Sequence, residues 1–129
     1  MIQPFACVAV VTNEHGEVLT VNRRGFPNDL GFPGGKREAH ETTVACLLRE
    51  LREETGLEAH SIVFLMEGYD AHGNLVYAFW IRKWTGTPQQ KEDGIQVTWQ
   101  AWAKLGEPDQ TFADFNRDAH VAYVKASAV

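Results

Sequence analysis

One stretch, Gly35 to Leu57, constrains what the rest of the chain can be. It reads G-K-R-E-A-H-E-T-T-V-A-C-L-L-R-E-L-R-E-E-T-G-L. Helical geometry at roughly 100° per residue puts Glu50, Glu53 and Glu54 at i, i+3 and i+4, on one face. Val44, Leu47, Leu48 and Leu51 fall on a second face, roughly 120° away. A helix is predicted from about Glu41 to Thr55, with Glu41 and two threonines in a first turn where the helix dipole favours acid. Gly56 stands where a left-handed residue ends a helix. One face belongs in a core. The other gathers three carboxylates, and like charges at this spacing cost about 0.2–0.5 kcal/mol per pair. A solvated face, helped by Arg49 and Arg52, is one account of that cluster. A site for a hard divalent cation is the other. All-oxygen donors suit magnesium or manganese, and an ion would cancel the repulsion.

Gly31-Phe32-Pro33-Gly34-Gly35 precedes the helix as a rigid, then permissive, turn. Backbone exposed there would offer a carbonyl to a metal or amides to phosphate. Arg23, Arg24, Lys36 and Arg37 bracket the turn, as a phosphate funnel or as ordinary surface charge.

The chain's 129 residues, 44% of them hydrophobic, suit one globular domain, residues 1–129, with its own core. A net charge of −5 argues against broad nucleic-acid binding, so no stable nucleic-acid partner is expected. Cys7 and Cys46 lack zinc or disulfide-framework spacing and read as reduced packing residues. Met1-Ile2-Gln3-Pro4 has neither the charged nor the apolar segment of a signal peptide. No run approaches the ~18 apolar residues that span a bilayer. A soluble, cytoplasmic protein with no membrane partner is expected.

Phe5 to Val11 and Val18 to Arg23 read as strands around a polar turn. Gly25 to Gly35 reads as a loop long enough to line a site. Ile62–Tyr69, Leu75–Thr85 and Val97–Lys104 read as further strands, and Phe112, Phe115, Ala119, Ala122 and Tyr123 recur at helical spacing. Strands around one helix, then a closing helix, make an α/β layered domain.

The stretch resembles the signature of the Nudix hydrolases, G-x5-E-x7-R-E-U-x-E-E-x-G-U with U aliphatic. Gly35, Glu41, Arg49, Glu50, Leu51, Glu53, Glu54, Gly56 and Leu57 fill its fixed positions. Many relatives carry Gly just before the first Glu. This chain has His40, which tolerates the left-handed region better than most residues. The resemblance implies a Nudix fold, an α/β/α sandwich with a mixed, curved sheet. It implies magnesium-dependent hydrolysis, with manganese as an equivalent ion, of a nucleoside diphosphate linked to another group.

By the same resemblance Glu53 and Glu54 are metal ligands, joined by the Gly35 carbonyl, and Glu50 is a ligand or the general base. Arg49 orients the carboxylates, while Gly34, Glu41 and Gly56 are structural. Glu92 is the acid that some relatives bring from a later loop, with Asp93 behind it. Arg23 and Lys36 are candidates for the phosphates. Phe32, with Phe26 and Trp84, is a candidate for stacking on the base, and Asn116 for reading it. No nucleophilic Ser/His/Asp or Cys/His set competes, so water attacks phosphorus directly. The lack of extensions suits a MutT-like enzyme cleaving a (deoxy)nucleoside triphosphate to monophosphate and pyrophosphate. Other family activities stay open: ADP-ribose, nucleotide sugars, dinucleoside polyphosphates or an RNA 5′ end. So does a non-catalytic nucleotide sensor, although the intact glutamates favour chemistry. A homodimer is compatible with all of these.

Overall fold

The computed structural model describes residues 4–128. In chain order its elements are β1 Phe5–Val10, β2 Val18–Arg23, β3 Phe26–Gly31, β4 Gly34–Lys36, α1 Thr43–Thr55, β5 Glu58–Tyr69, β6 Leu75–Thr85, β7 Val97–Gln100, α2 Trp102–Leu105 and α3 Ala113–Ser127. β1 is apolar on both faces because both faces are covered. Cys7 and Ala9 enter one core with Cys46, Leu47, Leu51, Phe79 and Ile81. Val10 enters a second core with Val76, Ala78, Leu105, Phe115 and Ala119. The first core lies under α1 and the second under α2 and α3.

Burial on two sides is what parallel pairing demands. β1 and β6 do run parallel, with Cys7 opposite Tyr77. β4 and β5 add antiparallel edges, giving the order β4-β1-β6-β5. The result is the expected mixed sheet between helical layers. β3, β2 and β7 form a second, antiparallel sheet. It joins the first where Leu19 N–H donates to the Val11 carbonyl at 2.8 Å.

Four sequence expectations need correction. Gly25–Gly35 is not a loop throughout: β3 pairs with β2 and β4 pairs with β1, and backbone pairing there overrides Pro, Asn and Gly composition. β7 stops at Gln100, and Trp102, read as strand, opens the short α2. α1 starts at Thr43, not Glu41. The Thr42 hydroxyl accepts from Ala45 N–H at 3.1 Å and caps the helix, leaving Glu41 before it and the first turn without an acid. The buried stripe is also rotated: Cys46, Leu47, Leu51 and Thr55 are buried, whereas Val44 is 41% exposed.

Both ends of the signature unit use the left-handed region. Gly56 closes α1 at φ 79°, its N–H donating to the Arg52 carbonyl. His40 enters the unit at φ 65°, among the described residues the one non-glycine with positive φ. A Cβ in that region costs about 1–2 kcal/mol, and His40 is exposed with no packing to lose. His40→Gly is expected to stabilise the protein by about 1 kcal/mol, after the added freedom of the unfolded chain is subtracted. Urea denaturation checks the sign.

Candidate active site

Arg49 is the hub of the carboxylate face. Its Nε and Nη2 grip Glu41 at 2.6 and 2.9 Å, and Nη1 reaches Glu50 at 2.9 Å and Glu53 at 3.1 Å. Nη2 also donates to the Lys36 carbonyl at 3.0 Å, tying the helix to β4. The guanidinium beside Glu41, with the Glu38 amide, holds that carboxyl down at about 2. Glu41 is thus an ionised brace, and its other partner positions the turn before α1.

Glu50 and Glu54 are different. The Glu50 carboxylate is 14% exposed and rests on the Cα of Gly35, where a Cβ would lie 2.5 Å from Oε1. A side chain at residue 35 would therefore push the Glu50 carboxylate aside, whereas one at Gly34 would run into the Cys7 backbone carbonyl. Burial raises the Glu50 pKa against the pull of Arg49, with Glu53 and Glu92 adding repulsion. Glu54 is pushed up to about 8, first by burial and then by the charges of Glu50, Glu92 and Glu53. Its Oε1 accepts from Gly34 N–H at 2.6 Å, which works the other way. Glu53 is half exposed and leans on Arg49. The Gly35 carbonyl faces Cys46 Sγ at 3.6 Å.

These residues fit a hard divalent ion by donor type and by charge. Glu50 and Glu53 share the Arg49 guanidinium with Glu38 and Glu41, and Glu54, the most buried, has no cation of its own among the described residues. Among the described residues no three acidic, His or Cys side chains stand together in an arrangement that would hold an ion as it is. Each glutamate is instead held by its own donor on Arg49 or Gly34.

A cleft of ≈ 430 Å³ begins at Glu54, Gly34, Gly35 and Lys36. It runs past Arg23 and Arg24 to Phe32, Phe112, Phe115 and Asn116. Arg23 donates to Asp29 and to the Thr111 hydroxyl, both at 3.3 Å, and lies 4.4 Å over the Phe26 ring. Burial pushes Asp29 up, but the Thr111 hydroxyl and amide and Arg23 outweigh it and keep its pKa low. Asn116, in the first turn of α3, is buried. Its Nδ2 donates to the Leu30 carbonyl at 3.3 Å and the Leu105 carbonyl at 3.0 Å. Only an NH₂ end can satisfy two carbonyls, so Oδ1 points the other way as an acceptor. Glu92 lies outside the cleft wall, paired with Arg24 at 3.1 Å.

The sequence reading missed several residues that line or shape the cleft: Asn22, Asp29, His72, Phe112 and Phe115. Phe112 and Phe115 carried a visible helical period. His72 and Asn22 carried no local signal. Of the other aromatic candidates, Phe32 is buried against Trp102 at the cleft wall, whereas Trp84 packs on Trp99 away from it.

The chain matches the family model described as NUDIX domain over residues 2–123. It is 32% identical over 108 residues to 8-oxo-dGTP diphosphatase of Escherichia coli (strain K12), covering 79% of this chain and 83% of that protein. An RNA pyrophosphohydrolase of Coxiella burnetii is 41% identical, but over 58 residues that cover 45% of this chain and only 25% of that protein. In fold the chain is similar to a solved structure described as MutT from Aliivibrio salmonicida and Vibrio cholerae. The TM-score is 0.74 at 22% identity, covering 96% and 99% of the two chains. The chain therefore belongs to the NUDIX domain family. It is a Nudix-type pyrophosphohydrolase of the MutT-like kind. Among the described residues no helix is long and apolar enough to cross a membrane.

The metal-free protein should pay for its buried carboxyl as pH rises. Glu54 titrates near 4.5 when unfolded and near 8 when folded. Its contribution to stability is full below about 4.5 and drains away as pH climbs to about 8. Glu54→Gln keeps an acceptor for Gly34 N–H and removes the charge. In EDTA the variant should exceed the parent by at least about 1 kcal/mol at pH 9, less than the worth of one pKa unit, and by much less at pH 5. Urea titrations across that range check it.

Proposed function

We propose that the enzyme hydrolyses a nucleoside triphosphate to the monophosphate and pyrophosphate, with a divalent ion and a preference for a purine oxidised at C8. The carrying observation is one cleft whose lining includes Glu54 with the Gly34-Gly35 turn and also the aromatic residues Phe32, Phe112 and Phe115 with Asn116. Glu50, Glu53 and Glu54 would hold the ion. The Gly35 carbonyl would add a further oxygen once it gives up its weak bond to the Cys46 thiol. Bound there, magnesium or manganese supplies charge neutralisation at the diphosphate and a more acidic water.

The protein's own part is positioning and proton control. Arg49 fixes the spacing of Glu50 and Glu53 and is itself fixed by Glu41. Glu54 must lose its proton at Oε1 or Oε2 to act as a ligand, and its Gly34 bond survives that loss. Lys36 and Arg23 both line the cleft and suit the phosphates. Glu92 is the acid that accepts the proton of the attacking water. The aromatic wall of Phe32, Phe112 and Phe115 excludes water from the base.

Asn116 sets the base preference. With both amide hydrogens spent on Leu30 and Leu105, it presents Oδ1 alone. An acceptor favours a base bearing N–H. Oxidation at C8 places a hydrogen on purine N7, where an ordinary purine has only a lone pair. That chemistry agrees with the name of the E. coli relative.

A phosphate-release screen over dGTP, 8-oxo-dGTP, ADP-ribose, nucleotide sugars, dinucleoside polyphosphates and 5′-triphosphorylated RNA tests the substrate class. Turnover of 8-oxo-dGTP ahead of dGTP is expected, with pyrophosphate as product; selective cleavage of the RNA would replace this reading. Glu53→Gln and Glu54→Gln should each lower kcat by roughly 10²-fold or more while the fold survives, and EDTA should abolish turnover until magnesium is restored. Full activity in either variant refutes the ligand assignment. Asn116→Ala should cost roughly 10–100-fold in kcat/KM for 8-oxo-dGTP and much less for dGTP. Equal losses on the two nucleotides would remove Asn116 from base selection.

A further inference from the structure

The stretch between β6 and β7 has no helix or strand of its own, yet it carries Glu92. Its anchoring is correspondingly specific. On one side Gln89 N–H donates at 3.1 Å to the carbonyl of Thr55, the last residue of α1 and next to Glu54. On the other side the end of β2 takes hold. Asn22 is buried, and its Nδ2 donates to the Gly94 and Arg23 carbonyls, each at 3.1 Å. Its Oδ1 accepts from Gln96 N–H at 2.6 Å. Two residues on, Arg24 places Nη1 on the Asp93 carbonyl at 2.6 Å and Nη2 on Glu92 Oε2 at 3.1 Å. Inside the stretch, Gln90 Nε2 and Ile95 N–H both donate to the Glu92 carbonyl.

We propose that Asn22 and Arg24 are positioning residues: Asn22 fixes the backbone after Glu92, and Arg24 holds the Glu92 carboxylate in place on the segment that Gln89 ties to the end of α1. This rests on the reading of Glu92 as the acid that serves the reaction. Glu92 lies within electrostatic reach of both Glu50 and Glu54, although it stands outside the cleft wall. A carboxylate on a strand-free segment, repelled by two others, would swing outward unless a cation held it. Arg24 is 63% exposed and Glu92 39%, so the pair adds little to folding. Its geometry is a planar fork on one carbonyl and one carboxylate, which a lysine cannot reproduce.

The test is a double-mutant cycle on Arg24 and Glu92, with kcat and KM measured on 8-oxo-dGTP and dGTP in magnesium. Arg24→Ala should lower kcat about 10-fold with KM nearly unchanged, and Arg24→Lys should recover little of it. Glu92→Gln should lower kcat by about 10²-fold, within the usual range for an acid–base group. Adding Arg24→Ala to Glu92→Gln should then cost nothing further, because Arg24 acts only through Glu92. Asn22→Ala should follow Arg24→Ala in direction. A full, additive loss in the double variant overturns the proposal, as does an effect confined to KM, which marks direct contact with the phosphates. An inert Arg24→Ala beside an impaired Glu92→Gln overturns it too. A fully active Glu92→Gln is a different failure: it removes the role of Glu92 itself.

Discussion

The site depends on one cation shared among too many anions. Arg49 contacts Glu38, Glu41, Glu50 and Glu53 and a backbone carbonyl besides, at 19% exposure. Its own proton is held more tightly than usual, chiefly by the bonds to Glu41. The five guanidinium hydrogens are divided between fastening and presenting. The Glu41 grip is bidentate, which fixes the plane of the group. Once that plane is set, Nη1 can serve Glu50 and Glu53 only from one direction. Removing Arg49 would leave buried carboxylates uncompensated, far more costly than the pair is worth when whole. The same arithmetic explains the hunger for charge at the far side. One guanidinium cannot neutralise four glutamates, and none of it reaches Glu54, which is served by the Gly34 amide alone among the described residues.

That imbalance separates bracing acids from working ones. Glu41 carries its charge at almost any pH because donors surround it. Glu54 resists carrying its charge because burial and three neighbouring acids oppose it. Both are glutamates of the same signature, separated by α1 and by environment rather than by chemistry. The strain is bearable because α1 is anchored on its other face: Cys46, Leu47 and Leu51 are essentially fully buried under β1 and β6. A helix with so firm an apolar seat can carry a strained acid on its opposite face.

Much of this was legible in the chain because its signals are local. The i, i+3, i+4 spacing of the glutamates, the reach of Arg49 to Glu53 at i+4 and the glycine stop at residue 56 all act within a few turns of helix. Where the reading slipped, a longer-range force decided. Periodicity places Val44 in the core, but the face of α1 that packs on the sheet is centred on Cys46, Leu47 and Leu51 and leaves Val44 41% exposed. β3 hid behind Pro27, Asn28 and Asp29, since its ladder with β2 depends on a partner strand rather than on propensity. The polar clasp of the cleft is less visible still. Gln110 donates to the Asn28 carbonyl and accepts from Leu30 N–H, 82 and 80 residues away in sequence, and no local pattern announces it.

Those distant clasps make the two ends of the cleft cooperate. Gln110 and Thr111 fasten the entrance of α3 to β3, and Asp29 joins that junction to Arg23. Asn116, one turn into α3, is thereby held against the Leu30 carbonyl. At the other end, β4 is fixed to β1 by backbone pairing and to α1 by Arg49 and Glu54. β3 and β4 are separated by only Phe32 and Pro33, both buried. The distance from Asn116 to the carboxylates is therefore set by a short, rigid tether and not by side-chain choice. Any ligand long enough to span the cleft would meet a fixed distance between its two ends, which is how a rigid scaffold turns recognition at one end into alignment at the other.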